Sequence, residues 1–338
     1  MDASDARFGS DRTGLLCGYR FAADEAGQPI DVDTASAVLA ALDGTGAPDV
    51  SFFWLHFNLA NQASQRWLRQ HLALPDDFHA LLEPSRSTRV EVAGDAVVAV
   101  INDATLFGVD TTDISTMAVY VTDGLLVSAR RTPLRSADRL REEVKAGERF
   151  ASPIDLLAHF LRHQADMLRD TAASTAARVD VIEDHVMAND VSGQRVTLGT
   201  LRRVLVRLQR LIAPEPSAMF RLVGHPPAWL TQADVDALRA SAEALAAAVA
   251  DCAALLDRIR LLQEELFAVV NEQTNRTLFV LTVVTTLALP MTIIPGLFGM
   301  NVGGIPLGTH RLGFATIAAL TVSVAGLGAL VVFRRFRR

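Results

Sequence analysis

Cysteine is scarce in this 338-residue chain: the two present, Cys17 and Cys252, stand far apart. That excludes a disulfide framework, and the lack of any Cys-x-x-Cys or Cys/His spacing leaves a zinc finger unsupported. Lysine is scarcer still. Lys145 stands alone and arginine carries the rest of the positive charge, a bias that fits the codon usage of a GC-rich bacterial genome. The net charge is −6, and the first 270 residues show no basic patch interleaved with aromatics, so no nucleic acid is expected as a partner. Walker A, GxGxxG, GxSxG and HExxH sequences are all missing, which leaves an enzymatic role without a motif. The N-terminal MDASDARFGSDRTG is polar and lacks the order of a secretory signal. The large N-terminal region is therefore expected to stay in the cytoplasm.

Charge is also missing from two long stretches near the C-terminus. Half of the chain is hydrophobic, and the excess lies almost entirely after Arg276. Thr277–Phe298 carries no charge over 22 residues and Phe314–Phe333 none over 20. At 1.5 Å per residue each is long enough for a bilayer core of about 30 Å. Arg334, Arg335, Arg337 and Arg338 abut the second run, whereas the loop between the runs offers only Arg311. The positive-inside rule then puts the C-terminus in the cytoplasm, and two spans return the N-terminal region to the same side. The segment GMNVGGIPLGTHRLG is left outside.

The two spans differ in kind. The second is built of Ala, Gly, Val and Leu, with Gly326 and Gly328 suited to close helix packing. The first holds Thr277, Thr282, Thr285, Thr286 and Thr292 together with Pro290 and Pro295. Asn275, Leu278, Thr282, Thr285, Leu289, Thr292 and Gly296 recur at the spacing of one helical face. Two readings of the hydroxyls stand: they line a water-filled axis, or they bond back to their own helix. Two helices cannot enclose a pore, so the first reading requires several copies in a ring.

Upstream, neither glycine nor proline interrupts the chain from Thr231 to Pro290. Leu245, Val249, Cys252, Leu256, Ile259, Leu262, Leu266 and Val269 recur every three to four residues, the pattern of a long amphipathic helix. Thr231 is its expected cap, with Asp234 three residues on. A single helix would then run about 100 Å, a stalk that continues into the membrane. Asp257, Glu264, Glu265 and Glu272 lie along its lower half, either as solvated surface or as an acidic cytoplasmic mouth that concentrates cations. Ser152 and Pro153 open an earlier helix. A second helix follows Gly193 and stops before Pro214, and EPSAMFRLVGHPPAW reads as a connector. The first 150 residues mix strands (GLLCGYRF, VSFFWLHFN, TRVEVAGDAVVAVIND, ISTMAVYVTDGLLVSARR) with short helices over NQASQRWLRQHLALPDDFHALLEP. His159 and His163 have a metal-compatible spacing, but no carboxylate or cysteine joins them in sequence, and packing is the favoured role.

These features meet at FGMN, at the outer end of the first span. A Gly-Met-Asn at this position, the second span, the basic terminus, Glu272 and Asn275 at the membrane entrance and Pro290 mid-span together resemble the CorA superfamily of metal-ion transporters. The loop Val302–Pro306 has no acidic residue, unlike the magnesium branch, and resembles the ZntB zinc branch. So do WLHFN (Trp54–Asn58) and Leu201–Met219. The resemblance spans Leu15 to Arg338.

The resemblance implies an α+β membrane protein assembled as a homopentamer in the bacterial inner membrane, surrounded by lipid. Its parts would be a cytoplasmic α/β domain (1–150), a helical hairpin (151–230), a stalk (231–276), a pore-lining first span (277–298), a periplasmic loop (299–313), a second span (314–333) and a basic tail (334–338). It implies an outer selectivity filter of Gly299, Met300 and Asn301, with Asn301 holding a hydrated cation. The pore lining would comprise Asn275, Leu278, Leu281, Thr282, Thr285, Leu289, Thr292 and Gly296, with Leu278, Leu281 and Leu289 as apolar constrictions. Zn2+ is the implied cargo, with Co2+, Ni2+, Cd2+ and Mg2+ as further candidates. H+ is a candidate coupling ion, although no membrane carboxylate is there to carry it. Uptake is the favoured direction; efflux of zinc and a magnesium or cobalt channel are the alternatives.

Overall fold

The computed structural model describes residues 10–22, 25–42, 52–72, 74, 78, 88–104, 114–188, 190–300, 306 and 312–336. The chain divides into two compact units, Met1–Asp184 with Gly193–Leu261, and His185–Ser192 with Leu262–Arg338.

The first unit is built on a seven-stranded sheet. Its strands are β1 (Leu15–Phe21), β2 (Gln28–Ile30), β3 (Phe52–Asn58), β4 (Arg89–Ala93), β5 (Ala96–Ala104), β6 (Ile114–Thr122) and β7 (Leu125–Arg130), in the order β2-β1-β3-β7-β6-β5-β4. β3 and β7 run parallel and every other neighbouring pair antiparallel. Two-residue turns join β4 to β5 and β6 to β7 at the Gly94-Asp95 and Asp123-Gly124 signals of the sequence. Gly94 has φ +63°, a conformation that favours glycine.

β3 is buried along its whole length, because helices cover both faces of the sheet. On one face Phe53, Leu55 and Phe57 pack with Ala35 of α1 (Val32–Leu42) and with Trp67 and Leu68 of α2 (Gln62–His71). On the other, Trp54 and Ser128 lie with Ala137 and Leu140 of α3 (Arg135–Lys145) and with Leu156, Leu157 and Phe160 of α4 (Pro153–Met187). Strand alternation sends neighbouring residues to opposite layers, so FFWLHFN needs no polar face.

Ser152 caps α4 as expected, accepting from the Asp155 N–H at 3.0 Å. Then follow α5 (Gln194–Ile212), α6 (Pro214–Gly224), α7 (Gln232–Phe298) and α8 (Gly313–Phe336). The expected connector after Pro214 is in fact largely the helix α6. Prolines 214 and 216 fall in its first turn, where backbone N–H groups have no helical partner to lose, and Met219, Leu222 and Val223 are buried. β2, α1 and α3 carry no expectation from the sequence.

α7 runs unbroken for 67 residues. Thr231 and Asp234 form a reciprocal cap at its start. The Thr231 N–H and hydroxyl donate to Asp234 Oδ2 at 3.0 and 2.6 Å, and the Asp234 N–H donates to Thr231 Oγ1 at 3.2 Å. Ser152 also donates its hydroxyl to Asp234, so one carboxylate ties the starts of α4 and α7 together. Leu245, Cys252, Ile259, Leu262 and Leu266 of the expected stripe are buried. Ser241 Oγ donates to the Ala158 carbonyl at 3.0 Å and Arg169 to that of Ala244 at 3.2 Å, packing α4 along the first half of α7.

Candidate functional site

In the second unit, the C-terminal part of α7 and α8 are long and apolar enough to cross a bilayer, with mean hydropathy of 2.1 and 2.2 over their best 18-residue windows. They pack on each other. Phe279 meets Phe333 edge to face at 6.0 Å. Pro290 supplies no N–H, so the Thr286 carbonyl one turn earlier loses its helical donor. Gly328 of α8 is packed at that point: a Cβ there would lie 2.8 Å from Thr286 Cγ2 and 3.9 Å from the Thr286 carbonyl oxygen. The small residue thus admits close helix approach where the ladder is broken.

Of the α7 residues in this segment, Phe279, Val283, Thr286, Leu287, Pro290, Ile294 and Phe298 are half-buried. Asn275, Leu278, Leu281, Thr282, Thr285, Leu289, Thr292 and Gly296 are all exposed. At 100° per residue these eight fall within an arc of about 120°, and the half-buried set occupies another arc of similar width. The expected lining therefore stands apart from the face turned to α8. It shares its exposure with Val280, Val284 and Met291 on the remaining arc.

The threonine hydroxyls bond back to their own helix. Thr282 donates to the Leu278 carbonyl at 2.7 Å, Thr285 to Leu281 at 2.8 Å and Thr292 to Ala288 at 3.1 Å. This satisfies each donor inside an apolar segment and leaves the oxygen lone pairs to accept from water.

Gly299 ends the span. Its N–H donates to the Pro295 carbonyl at 2.8 Å, and a Cβ on it would sit 3.0 Å from that oxygen. Close approach to the carbonyl, not a left-handed backbone, is what asks for glycine here. Met300 follows, exposed. Asn301, the residue expected to hold the cation, lies outside the described residues, as do His310, Arg311, Arg337 and Arg338. Asp257, Glu264, Glu265 and Glu272 are all exposed on α7.

The histidine pair separates into two unrelated contacts. His163 Nε2 meets Glu143 at 2.7 Å, whereas His159 Nδ1 faces the Asp155 carbonyl at 2.9 Å. Among the described residues no group of three His, Cys, Asp or Glu is arranged to hold a metal ion.

Sequence reasoning missed the buried polar groups of the first unit. His56 lies between Arg130 Nε, which donates to its Nε2 at 2.9 Å, and Ser128 Oγ at 2.7 Å from its Nδ1. Burial, then the Arg130 charge, hold its pKa well below the ordinary value, so the ring is neutral with its proton on Nδ1. Asp103 caps α3 from β5, accepting from the Ser136 N–H and hydroxyl at 2.8 and 2.9 Å. Burial raises its pKa to about 6. Glu215, fully buried on α6, accepts from the Asn102 N–H at 2.7 Å and from Gln164 Nε2 at 2.6 Å. Burial raises it to about 8. The one signal for Glu215 was its place between Pro214 and Pro216, inside the Leu201–Met219 stretch already singled out.

The family model described as "CorA-like Mg2+ transporter protein" matches residues 49–335. The chain belongs to the CorA-like transporter family. Within it, the chain is 29% identical to the "Divalent cation transporter CmaX" of Pseudomonas aeruginosa over 97% of both chains. It is 28% identical to the "Zinc transport protein ZntB" of Pectobacterium atrosepticum, over 81% of this chain and 84% of that one. The structure of full-length CmaX superposes with a TM-score of 0.81 at 26% identity, covering 97% of this chain and 99% of CmaX. The CorA-like fold is thus present across the chain: an N-terminal α/β unit, a long helix and two C-terminal apolar helices. Members of the family move divalent cations across membranes.

Proposed function

We propose that this chain moves divalent cations, zinc before magnesium, through a pore lined by α7 in a ring of five copies. The observation that carries the reading is the exposed arc of α7, Asn275 to Gly296, separate from the face packed on α8. It alternates leucines with threonines whose oxygens remain free to accept, a lining on which hydrated ions can pass between apolar constrictions. Gly299, Met300 and Asn301 form the outer filter. Five Asn301 amide oxygens meet the water shell of a cation without stripping it, the manner in which hard oxygen donors hold hydrated ions. The exposed acids Asp257, Glu264, Glu265 and Glu272 form the cytoplasmic mouth. Both termini face the cytoplasm of a bacterial inner membrane, and uptake is driven by protons.

Zinc is favoured by the loop, which has no acidic residue between Asn301 and the second span, and by the similarity to ZntB. The second reading is a magnesium or cobalt channel, favoured by the description of the matching family model. Export of zinc is the reverse of the first reading.

The test is flux into liposomes that hold a zinc-sensitive dye, with and without an inward proton gradient, alongside magnesium. The expected result is zinc entry accelerated by the gradient, with Asn301→Ala abolishing entry while the oligomer persists. Magnesium entry driven by voltage alone, with zinc only competing, would transfer the protein to the second reading. Full flux in Asn301→Ala would remove the filter.

A further inference from the structure

β3 and β7, the parallel pair of the sheet, end side by side, with Asn58 aligned on Arg130. The chain then leaves them toward opposite faces. After β3 it forms α2, whose Trp67 and Leu68 cover one face together with Phe57. After β7 it forms α3, whose Ala137 and Leu140 cover the other together with Trp54 and Ser128. Parallel neighbours whose helices go to opposite faces leave a crevice outside their carboxyl ends, the place where open α/β sheets hold ligands. A crevice of about 430 Å³ lies there, within the range of roughly 300–1,000 Å³ usual for ligand clefts.

Leu59 lines it from the end of β3, Arg131 from the end of β7, and Gln62, Gln65, Arg66 and Arg69 from α2. These four α2 residues recur every three to four positions, on the face opposite the buried Ser64, Trp67 and Leu68. The wall between strand and helix is fixed from several sides. The Asn58 N–H donates to the Gly14 carbonyl at 2.8 Å, and the Leu59 N–H to the Arg130 carbonyl at 2.8 Å. Ser64 Oγ donates to the Asn58 carbonyl at 2.6 Å, and Asn61 Oδ1 accepts from the Ala63 N–H at 2.9 Å. Arg131 Nη1 reaches the Leu59 carbonyl at 3.4 Å, across the mouth of the two strands. A wall held in this way needs little ordering when a ligand arrives.

We propose that this crevice binds a phosphate chain, free or carried by a nucleoside, through Arg66, Arg69 and Arg131. The three guanidiniums and the two glutamine amides are all donors, and the guanidiniums keep their charge at every physiological pH. Their planar forks match pairs of phosphate oxygens. Arg66 and Arg69 stand three residues apart on α2 and Arg131 faces the crevice from the strand side, so successive phosphates of one chain can each meet a fork. The first turn of α2 adds the positive end of its dipole beside the same crevice. Leu59 and the aliphatic stems of the arginines supply the apolar part of the lining. The site lies wholly within the first unit, and its ligand does not depend on the transport reading.

Titration calorimetry tests it on the full-length protein in phosphatidylcholine nanodiscs, with tripolyphosphate and ATP as probes and EDTA present so that no divalent cation takes part. Tripolyphosphate is expected to bind saturably, once per chain. The double variant Arg66→Gln/Arg69→Gln is expected to weaken it at least about tenfold, as loss of charged hydrogen bonds implies, and Arg131→Gln to weaken it as well. Arg66 and Arg69 are exposed, so the double variant is expected to keep the thermal midpoint of the wild type. Arg202→Gln/Arg203→Gln makes the same change of charge at exposed positions of α5 and is expected to leave the affinity unaltered. A wild type without saturable tripolyphosphate binding overturns the proposal. So does wild-type affinity in Arg66→Gln/Arg69→Gln, or an equal loss in the α5 variant, which would reduce the binding to general attraction. Equal affinity for the two probes would assign recognition to the phosphate chain alone, and tighter binding of ATP to a chain carried by a nucleoside.

Discussion

Asp234 shows how much a single carboxylate can organise. It is buried, and it receives the Thr231 N–H, the Thr231 hydroxyl and the Ser152 hydroxyl. Two helix starts depend on it, one of them the longest helix of the molecule. Losing a capping interaction costs about 1 kcal/mol, and here the Thr231 and Ser152 hydroxyls also lose their acceptor. Asp234→Ala is expected to lower the thermal midpoint of the solubilised protein by several degrees, with Asp234→Asn in between. An unchanged midpoint in Asp234→Ala would show that water replaces all three bonds. Asp103 does related work, since Leu134, at the cap position of α3, offers no side-chain hydrogen bond. The cap arrives from β5 instead, which no local sequence pattern of α3 could reveal.

At the scale of elements, the α7–α8 contact depends on a gap of one methyl group. A Cβ on Gly328 would meet Thr286 Cγ2 at 2.8 Å, closer than packed atoms tolerate. Thr286 cannot easily turn away, because β-branched side chains are stiff at χ1 in helices. Gly328→Ala is expected to lower the melting temperature of the solubilised protein, and Thr286→Ser, which deletes that methyl, to restore most of the loss. A double-mutant cycle measures the coupling. Additive effects would show that the helices separate there at no cost. The same logic explains why Gly299 and Gly328 are glycine although neither adopts a left-handed backbone: each faces a close neighbour, one its own helix and the other a partner helix.

At the scale of the whole molecule, the transport reading makes the acidic residues of α7 an electrostatic device. They are exposed, so their field is screened by salt over about 10 Å at 0.1 M. Neutralising Glu264, Glu265 and Glu272 to glutamine is expected to slow cation flux two- to tenfold at 10 mM salt and to leave it unchanged at 0.5 M. A loss of equal size at both ionic strengths would point to direct coordination or to misfolding, not to attraction from a distance.

Much of this architecture was legible in the sequence because its determinants are local. Two charge-free runs, an uninterrupted 3–4 repeat from Leu245 to Leu266, a Thr-x-x-Asp cap and Gly-Asp turns act within a few residues of one another, and each produced the element it signals. So did the strand pattern of β3, β5, β6 and β7. The Gly-Met-Asn sequence pointed to the family to which the chain belongs. What the sequence hid is non-local. α6 was concealed because prolines read as breakers unless it is known that they occupy a first turn. α3 lacks its own cap. The face of α7 from Asn275 to Gly296 was visible as a helical spacing, but which residue of α8 meets the opposite face, Gly328 against Thr286, was not. The roles of Glu215, Asn102 and Gln164 depended on three segments, far apart in the chain, converging on one carboxylate. Patterning and capping obey periodicities that a linear string displays; the pairing of buried polar groups obeys only distance, and distance exists once the chain has folded.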